Sequence, residues 1–395
     1  MSAHVRVGLD VAVARGFDFL KGKRVGAICN PTALDGRFRH LADLLRAAPG
    51  VTLAALFGPE HGVRGQAQDM IGVESEKDPR TGVGVHSLYG KTFESLRPTP
   101  QSLQGLDALV FDIQDVGARY YTFVYTMALC MEAAAQAKIP FYVLDRPNPI
   151  GLQMVEGNRV REPFKSFVGL YPLATRHGMT AGELAQYFNV EHRIGCALTV
   201  IACEGLNRGM LWSELGLPFV PPSPNMPTAD TALVYPGMCL VEGTNLSEGR
   251  GTTRPFELFG APWVDPEALA EALEAEQLPG VRFRPLHFLP TFHKHAMKDC
   301  GGVMLHVTDP RTFLPVRTGA ACMLHAYRQG HGKGFAWRTE KYEFVDDVLA
   351  IDLLFGTDSV RKHIEAGHAL SQCLEGFDAD LASFLPQRAR HLLYP

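Results

Sequence analysis

Glu60 stands in the segment Gly58-Pro59-Glu60-His61-Gly62, directly after the apolar run Val51–Phe57. A carboxyl group at the end of such a run is partly withdrawn from water. Desolvation favours its protonated form, which is what a general acid needs near neutral pH. The flanking glycines leave space for a ligand to approach. Further along, Asp112 to Asp115 closes a second apolar run and is followed by Arg119, Tyr120, Tyr121, Phe123 and Tyr125. A Tyr-Tyr pair beside Arg and Asp suits a sugar, whose ring needs an apolar platform and whose hydroxyls need charged or amide partners. The stretch Glu242 to Pro255 (EGTNLSEGRGTTRP) is too polar for a core and too rich in specific donors for a linker.

Other chemistries find less support. Gly90-Lys91-Thr92 ends like a phosphate-binding loop, but Val85 stands where the upstream glycine belongs, and Gly84 is one residue off. The backbone amides that cradle a phosphate need that loop length. No G-x-G-x-x-G follows the first strand and no G-x-S-x-G occurs, so neither a dinucleotide turn nor a serine nucleophile is expected. The close pair His293 and His295 would share a face if it lay on a strand, but no carboxylate or cysteine at ligand spacing completes a metal set. The expected metal is therefore none, and no cofactor is expected. Eight widely spread cysteines without a C-x-x-C read as buried free thiols.

The elements that must position these residues follow from pattern. Strand-like runs at Arg24–Cys29, Val51–Phe57, Ala108–Ile113 and Ile139–Leu144 alternate with helical stretches at Arg39–Ala47 and Thr122–Ala137. Alternation of this kind implies crossover units and a mainly parallel sheet. The polar clusters at Glu60, Asp112–Asp115 and Asp145-Arg146 each follow a strand, and open α/β sheets bind ligands beyond the carboxyl ends of their strands. Thr180 and Glu183 form a capping box for a helix through Phe188, ahead of a strand at Leu198–Ala202. A domain boundary is expected near Phe259–Pro262, with Asp265-Pro266 opening a helix through Ala275, a strand at Gly302–Val307 and a helix at Arg317–Arg328. The length of 395 residues fits two domains at roughly 150 residues or more each. With 38 basic and 42 acidic residues well mixed along the chain, a nucleic-acid partner is not expected. No apolar run approaches about 18 residues, so no membrane span is expected. Met1 to Phe17 lacks the order of a secretory signal. If Met1 is the natural start the expected compartment is the cytoplasm; if a signal was removed, the protein is exported to the periplasm or beyond.

Taken jointly, five segments carry a resemblance. They are Cys29-Asn30-Pro31-Thr32, Gly58–Gly62, Phe111–Tyr121, Asp145-Arg146-Pro147-Asn148-Pro149 and Glu242–Thr252, continued by Pro290–His295 and Lys341-Tyr342-Glu343-Phe344. In this order, over about Val7 to Gly356, the chain resembles the exo-β-N-acetylmuramidase family of NamZ type. Locally it departs from the pattern at Lys341, where a proline is expected before Tyr342.

The resemblance implies an α/β fold: a Rossmann-like domain (1–258) with a mainly parallel sheet, plus a smaller C-terminal α/β domain (259–395) closing the active-site cleft. It implies a metal- and nucleotide-independent glycosidase that removes terminal N-acetylmuramic acid from the non-reducing end of peptidoglycan-derived disaccharides or muropeptides. Glu60 matches the family's acid. A glycosidase usually needs a second carboxyl group. Asp115, Glu242 and Glu248 are the candidates, and the carbonyl of the 2-acetamido group is an alternative nucleophile. Asp112, Gln114, Asn148 and Asn245 are suited to hydroxyls and the acetamido group, Tyr120 to the sugar ring, and His61 and His177 to supporting hydrogen bonds. The lactyl carboxylate of muramic acid calls for a cation, for which Arg64, Arg119, Arg146, Arg250 and Arg254 are candidates. Arg250, between Gly249 and Gly251, is preferred, and Arg146 beside Asp145 is the one most suited to a structural pair. The competing readings are a non-catalytic amino-sugar-binding protein and a nucleotide-dependent transferase on a doubly wound sheet.

Overall fold

The protein was analysed as a computed structural model, which describes residues 5–60, 62–65 and 77–395. Six parallel strands form the larger sheet: β1 (Arg24–Cys29), β2 (Thr52–Gly58), β3 (Val85–Ser87), β4 (Ala108–Asp112), β5 (Phe141–Leu144) and β6 (Leu198–Ile201). Their order is β3-β2-β1-β4-β5-β6, so the direction of winding reverses between β1 and β4. Alternate residues of each strand serve opposite faces. Ile28, Phe57, Leu109, Phe111 and Val143 enter the core beneath helices α3 (Phe123–Ala137) and α4 (Ala181–Glu191). Val25, Ala27, Leu56, Val110 and Leu144 face α1 (Gly8–Ala14) and α2 (Leu41–Ala47). Burial on both faces explains why β4 reads as an unbroken apolar run in the sequence. The capping box expected at Thr180 is present, with Glu183 N–H donating to the threonine hydroxyl.

Helix α5 (Ala229–Met238) leads to a second, antiparallel sheet of three strands. In it β7 (Leu258–Ala261) and β8 (Val281–Phe288) flank β9 (Cys300–Val307). Pro285 can sit inside β8 because that strand is an edge and needs no donor on its outer side. Helix α6 (Pro266–Ala275) starts as its sequence expects, the Asp265 carboxylate accepting from Ala268 N–H and Pro266 taking the first helical position. Helix α7 (Pro315–Gly330) crosses α5 where Gly237 meets Gly319. A β-carbon on Gly319 would lie 2.3 Å from the Gly237 carbonyl oxygen, so the two backbones touch only because both positions lack one.

Four helices end the chain: α8 (Ala350–Phe355), α9 (Ser359–Glu365), α10 (Leu370–Cys373) and α11 (Phe377–Ala389). The last of them returns to the first sheet. Arg388, after packing beside α4, donates to the carbonyls of Leu152 and Gly178, both at 2.7 Å. All eight cysteines are free and buried, as their spacing suggested. Among the described residues no helix is long and apolar enough to cross a membrane.

Candidate active site

Glu60 follows β2 at the carboxyl edge of the large sheet. Gly62 N–H closes a turn onto the Pro59 carbonyl at 2.9 Å, and this holds the half-buried Glu60 at the mouth of a cleft. Aromatic rings form one part of its lining. Tyr235 meets Tyr120, Tyr121 and Phe256 edge to face, with centroids 5.8, 5.6 and 4.9 Å apart. Helix α3 starts only at Phe123, so Tyr120 and Tyr121 belong to the strand-to-helix connection rather than to a helical face. Tyr120 also donates its hydroxyl proton to the Pro236 carbonyl of α5, which fixes the ring. Burial pushes the Tyr121 phenol up, so it stays a neutral hydroxyl.

The facing wall comes from the polar segment after α5. Glu242 accepts from Arg250 Nη2 at 2.8 Å and from the Tyr342 hydroxyl at 2.8 Å. Arg250 spans two carboxylates, since its Nε lies 3.1 Å from Glu248. Its guanidinium also sits 5.2 Å from the Phe256 ring centroid. Fully buried Glu248 gathers two more partners, His293 Nδ1 at 3.1 Å and Lys294 Nζ at 3.0 Å. Burial alone would raise its pKa, but Lys294, His293 and Arg250 together hold the carboxyl well below the usual carboxylate range. A carboxyl held so firmly in its charged form cannot serve as an acid. Glu60, Glu242 and Arg250 therefore share the cleft, and Glu248 lies behind its wall as the anchor of Arg250 and His293.

The glycines around Arg250 act differently from the sequence expectation. A β-carbon on Gly251 would stand 2.7 Å from the Phe292 nitrogen, and the Gly251 carbonyl accepts from Thr291 N–H at 2.9 Å. The close approach that Gly251 permits is made by the protein's own 290–292 segment, while Gly249 lies against the carbonyls of Leu258 and Arg254. That segment is not a strand: His293 and His295 both have positive φ and point to different partners, His293 to Glu248 and His295 to the Asn245 carbonyl at 2.7 Å. Among the described residues no three His, Cys, Asp or Glu side chains are grouped as a metal site would require.

Several other candidates are engaged away from this cleft. Asp115 accepts from Gly117 N–H at 2.8 Å and faces His177 Nε2 at 3.3 Å, both groups buried. Asp112 is fully buried in a two-pronged pair with Arg146, so the structural arginine finds Asp112 rather than neighbouring Asp145. Gln114 donates to the carbonyls of Asp115 and Pro147, Asn148 to that of Met179, and Asn245 to that of Gly334. Arg64 joins Asp43 and Asp78, and Arg254 joins Glu257. Arg119, fully buried, gives its guanidinium to the carbonyls of Asn158, Leu173, Leu354 and Phe355. In each case the side chain bonds the backbone or a structural ion-pair partner, although Asp115 Oδ1 and Arg119 Nε find no hydrogen-bond partner among the described residues. His61 lies outside the described residues. Conversely, Ser223, Asn225, Tyr235, Arg338, Lys341 and Tyr342 line the cleft without having been singled out for binding. The Lys341–Phe344 segment was conspicuous in the sequence, but nothing local ties it to Glu60.

At the switch point between β1 and β4, where doubly wound sheets hold nucleotides, the polar side chains are bonded to one another and to the backbone. Asn30 accepts from Thr32 N–H at 2.9 Å, Thr32 accepts from Gln114 N–H at 2.9 Å, and Asp112 holds Arg146.

Residues 25–230 match the family described as "Exo-beta-N-acetylmuramidase NamZ, N-terminal", and residues 233–394 match its C-terminal counterpart. Over 390 residues the chain is 46% identical to the peptidoglycan beta-N-acetylmuramidase NamZ of Bacillus subtilis (strain 168), covering 99% of this chain and 91% of that protein. Two solved DUF1343 family proteins of Bacteroides fragilis share the architecture. One is 34% identical with a TM-score of 0.89, the other 31% identical with a TM-score of 0.77, each alignment covering 99% of both chains.

Proposed function

The chain belongs to the NamZ family of exo-β-N-acetylmuramidases and is a glycoside hydrolase acting on peptidoglycan, and on that premise we propose that Glu60 is its general acid. The proposed substrates are peptidoglycan-derived disaccharides or muropeptides with N-acetylmuramic acid at the non-reducing end. The observation that carries the reading is the meeting of a half-buried Glu60 with an aromatic floor and a second, arginine-paired carboxylate in one cleft. The aromatic rings offer an apolar face to the sugar, and the phenols of the floor keep their protons for hydrogen bonding.

In the proposed reaction Glu60 donates its proton to the glycosidic oxygen as the bond to the anomeric carbon breaks, and a water molecule completes the hydrolysis, its oxygen bonding that carbon and its proton restoring the acid. Glu242 is the proposed second carboxyl group. Arg250 and Tyr342 fix its two oxygens, Oε1 and Oε2 respectively, so it stands as an oriented anion where positive charge develops on the sugar ring. Glu248 acts through Arg250 and His293 and is a positioning residue.

The test is turnover of a chromogenic N-acetylmuramic acid glycoside. Wild-type protein is expected to release the chromophore, which a non-catalytic sugar-binding protein would not. Glu60→Gln is expected to lower kcat by about 100-fold or more while the protein stays folded, since general acid catalysis contributes roughly 10²–10⁴-fold. Wild-type-like turnover by a folded Glu60→Gln protein would remove Glu60 from the role.

A further inference from the structure

The arginine preferred from the sequence as receptor for the substrate's carboxylate, Arg250, is already shared between Glu242 and Glu248. A guanidinium bonded to two carboxylates at 2.8 and 3.1 Å has little left to offer a third. Two further cations line the cleft, Arg338 and Lys341, both on the segment that carries Tyr342.

Arg338 is built into place. Its backbone N–H donates to the Gly243 carbonyl at 2.9 Å. The chain just before it is stitched to the polar segment by Asn245, which donates to the Gly334 carbonyl at 2.7 Å and accepts from Ala336 N–H at 3.0 Å. The guanidinium carbon lies 4.9 Å from the ring centroid of Tyr342, the same tyrosine whose hydroxyl orients Glu242. An arginine laid over an aromatic ring keeps its in-plane N–H groups for a planar anion, with its side-chain entropy already spent. Its own charge is weakly met. Glu340 stands 4.0 Å away and is 77% exposed, and the Lys341 carbonyl accepts at 3.4 Å. Exposed Lys341 makes no ion pair among the described residues.

We infer that Arg338, assisted by Lys341, is the receptor for the carboxylate that distinguishes N-acetylmuramic acid from N-acetylglucosamine. Arg250 instead orients the carboxylates of the cleft wall. The inference deepens the proposed function and rests on it for the identity of the sugar.

Equilibrium binding of the two free sugars, measured by calorimetry, tests it apart from turnover. Wild-type protein is expected to bind N-acetylmuramic acid more tightly than N-acetylglucosamine. Arg338→Gln is expected to lower that binding ratio by about 10- to 150-fold, the range of a charge-assisted hydrogen bond. Arg338→Met keeps an apolar chain on the Tyr342 ring without the charge and is expected to do the same, which separates lost recognition from lost packing. Lys341→Ala is expected to erode the ratio less, and its effect to fade in high salt because the lysine is exposed. With the chromogenic glycoside, Arg338→Gln should act mainly on KM, whereas Arg250→Ala should lower kcat for both sugars by releasing Glu242. A wild type without binding preference overturns the inference, as does a preference kept by both folded Arg338 variants. Binding preference without any turnover leaves the receptor standing and overturns the proposed reaction instead.

Discussion

At the scale of single residues, the cleft separates carboxylates by their neighbours. Glu242 has one cation and one phenol and faces the cleft, while Glu248 has two cations, a histidine and no exposure. Removing the charge of Glu248 would leave Arg250, His293 and Lys294 crowded together without their shared anion. Breaking a buried pair in this way costs about 3–5 kcal/mol. We expect Glu248→Gln to lower the melting temperature by several degrees and to weaken turnover of every substrate together. A melting temperature equal to wild type would show that the cations find other partners. The residue types of this cluster were visible in the sequence as a polar stretch, and Glu248 was an equal candidate there for direct catalysis. Its sorting depends on His293 and Lys294, more than forty positions away, which no local pattern connects to it.

At the scale of elements, two helix ends are held by buried side chains from distant segments. Arg119 satisfies the carbonyls of Leu354 and Phe355 at the end of α8, a favourable place for a cation. Glu156 does the converse at the start of α7, accepting from Val316 N–H at 3.0 Å and Arg317 N–H at 2.6 Å. Burial pushes the Glu156 carboxyl up to about 7, although these two N–H groups pull it down. Its ordinary value is 4.5. Between those values the folded protein keeps a proton that the unfolded chain has lost, so stability falls as pH rises across that interval. The contribution is complete below about pH 4.5 and disappears as pH rises through about 7. Glu156→Gln lacks it. The gap in melting temperature, wild type minus Glu156→Gln, should therefore be more positive at pH 5 than at pH 8. A gap that widens toward pH 8 would show that the charged form caps the helix better than burial penalises it.

At the scale of the whole molecule, Tyr394 returns to the carboxyl end of the first sheet. Tyr394 donates its hydroxyl to buried Asp145 at 2.5 Å and accepts from Cys203 N–H at 2.9 Å. Burial pushes Asp145 up to about 6, with Tyr394, Thr180 and Gly182 N–H opposing it. The last residues thus complete the carboxyl end of β5, with α11 laid along α4 on the way. Tyr394→Phe removes one donor and one acceptor from a buried site, at about 1–3 kcal/mol. Urea denaturation should show that loss as a lower midpoint, and an unchanged midpoint would make the tail a bystander.

The parallel sheet, its helices, the caps at Thr180 and Asp265 and the placing of Glu60 at a strand end were all legible in the sequence. Each depends on spacing within a dozen residues: period 2 or an apolar run for strands, a side-chain oxygen three residues before its N–H for caps. The edge strand β8 was less legible because Pro285 interrupts its pattern, and only its place in the sheet makes the proline harmless. Tertiary structure alone decided which polar residues face substrate space. Asp112, Arg119, Arg146 and Asn148 carry the same chemical groups as Glu60, Glu242 and Arg338, yet their hydrogen bonds go to carbonyls and carboxylates brought from elsewhere in the chain. Most buried polar atoms are paired, and whether the partner is protein or ligand is set by what the fold packs against them.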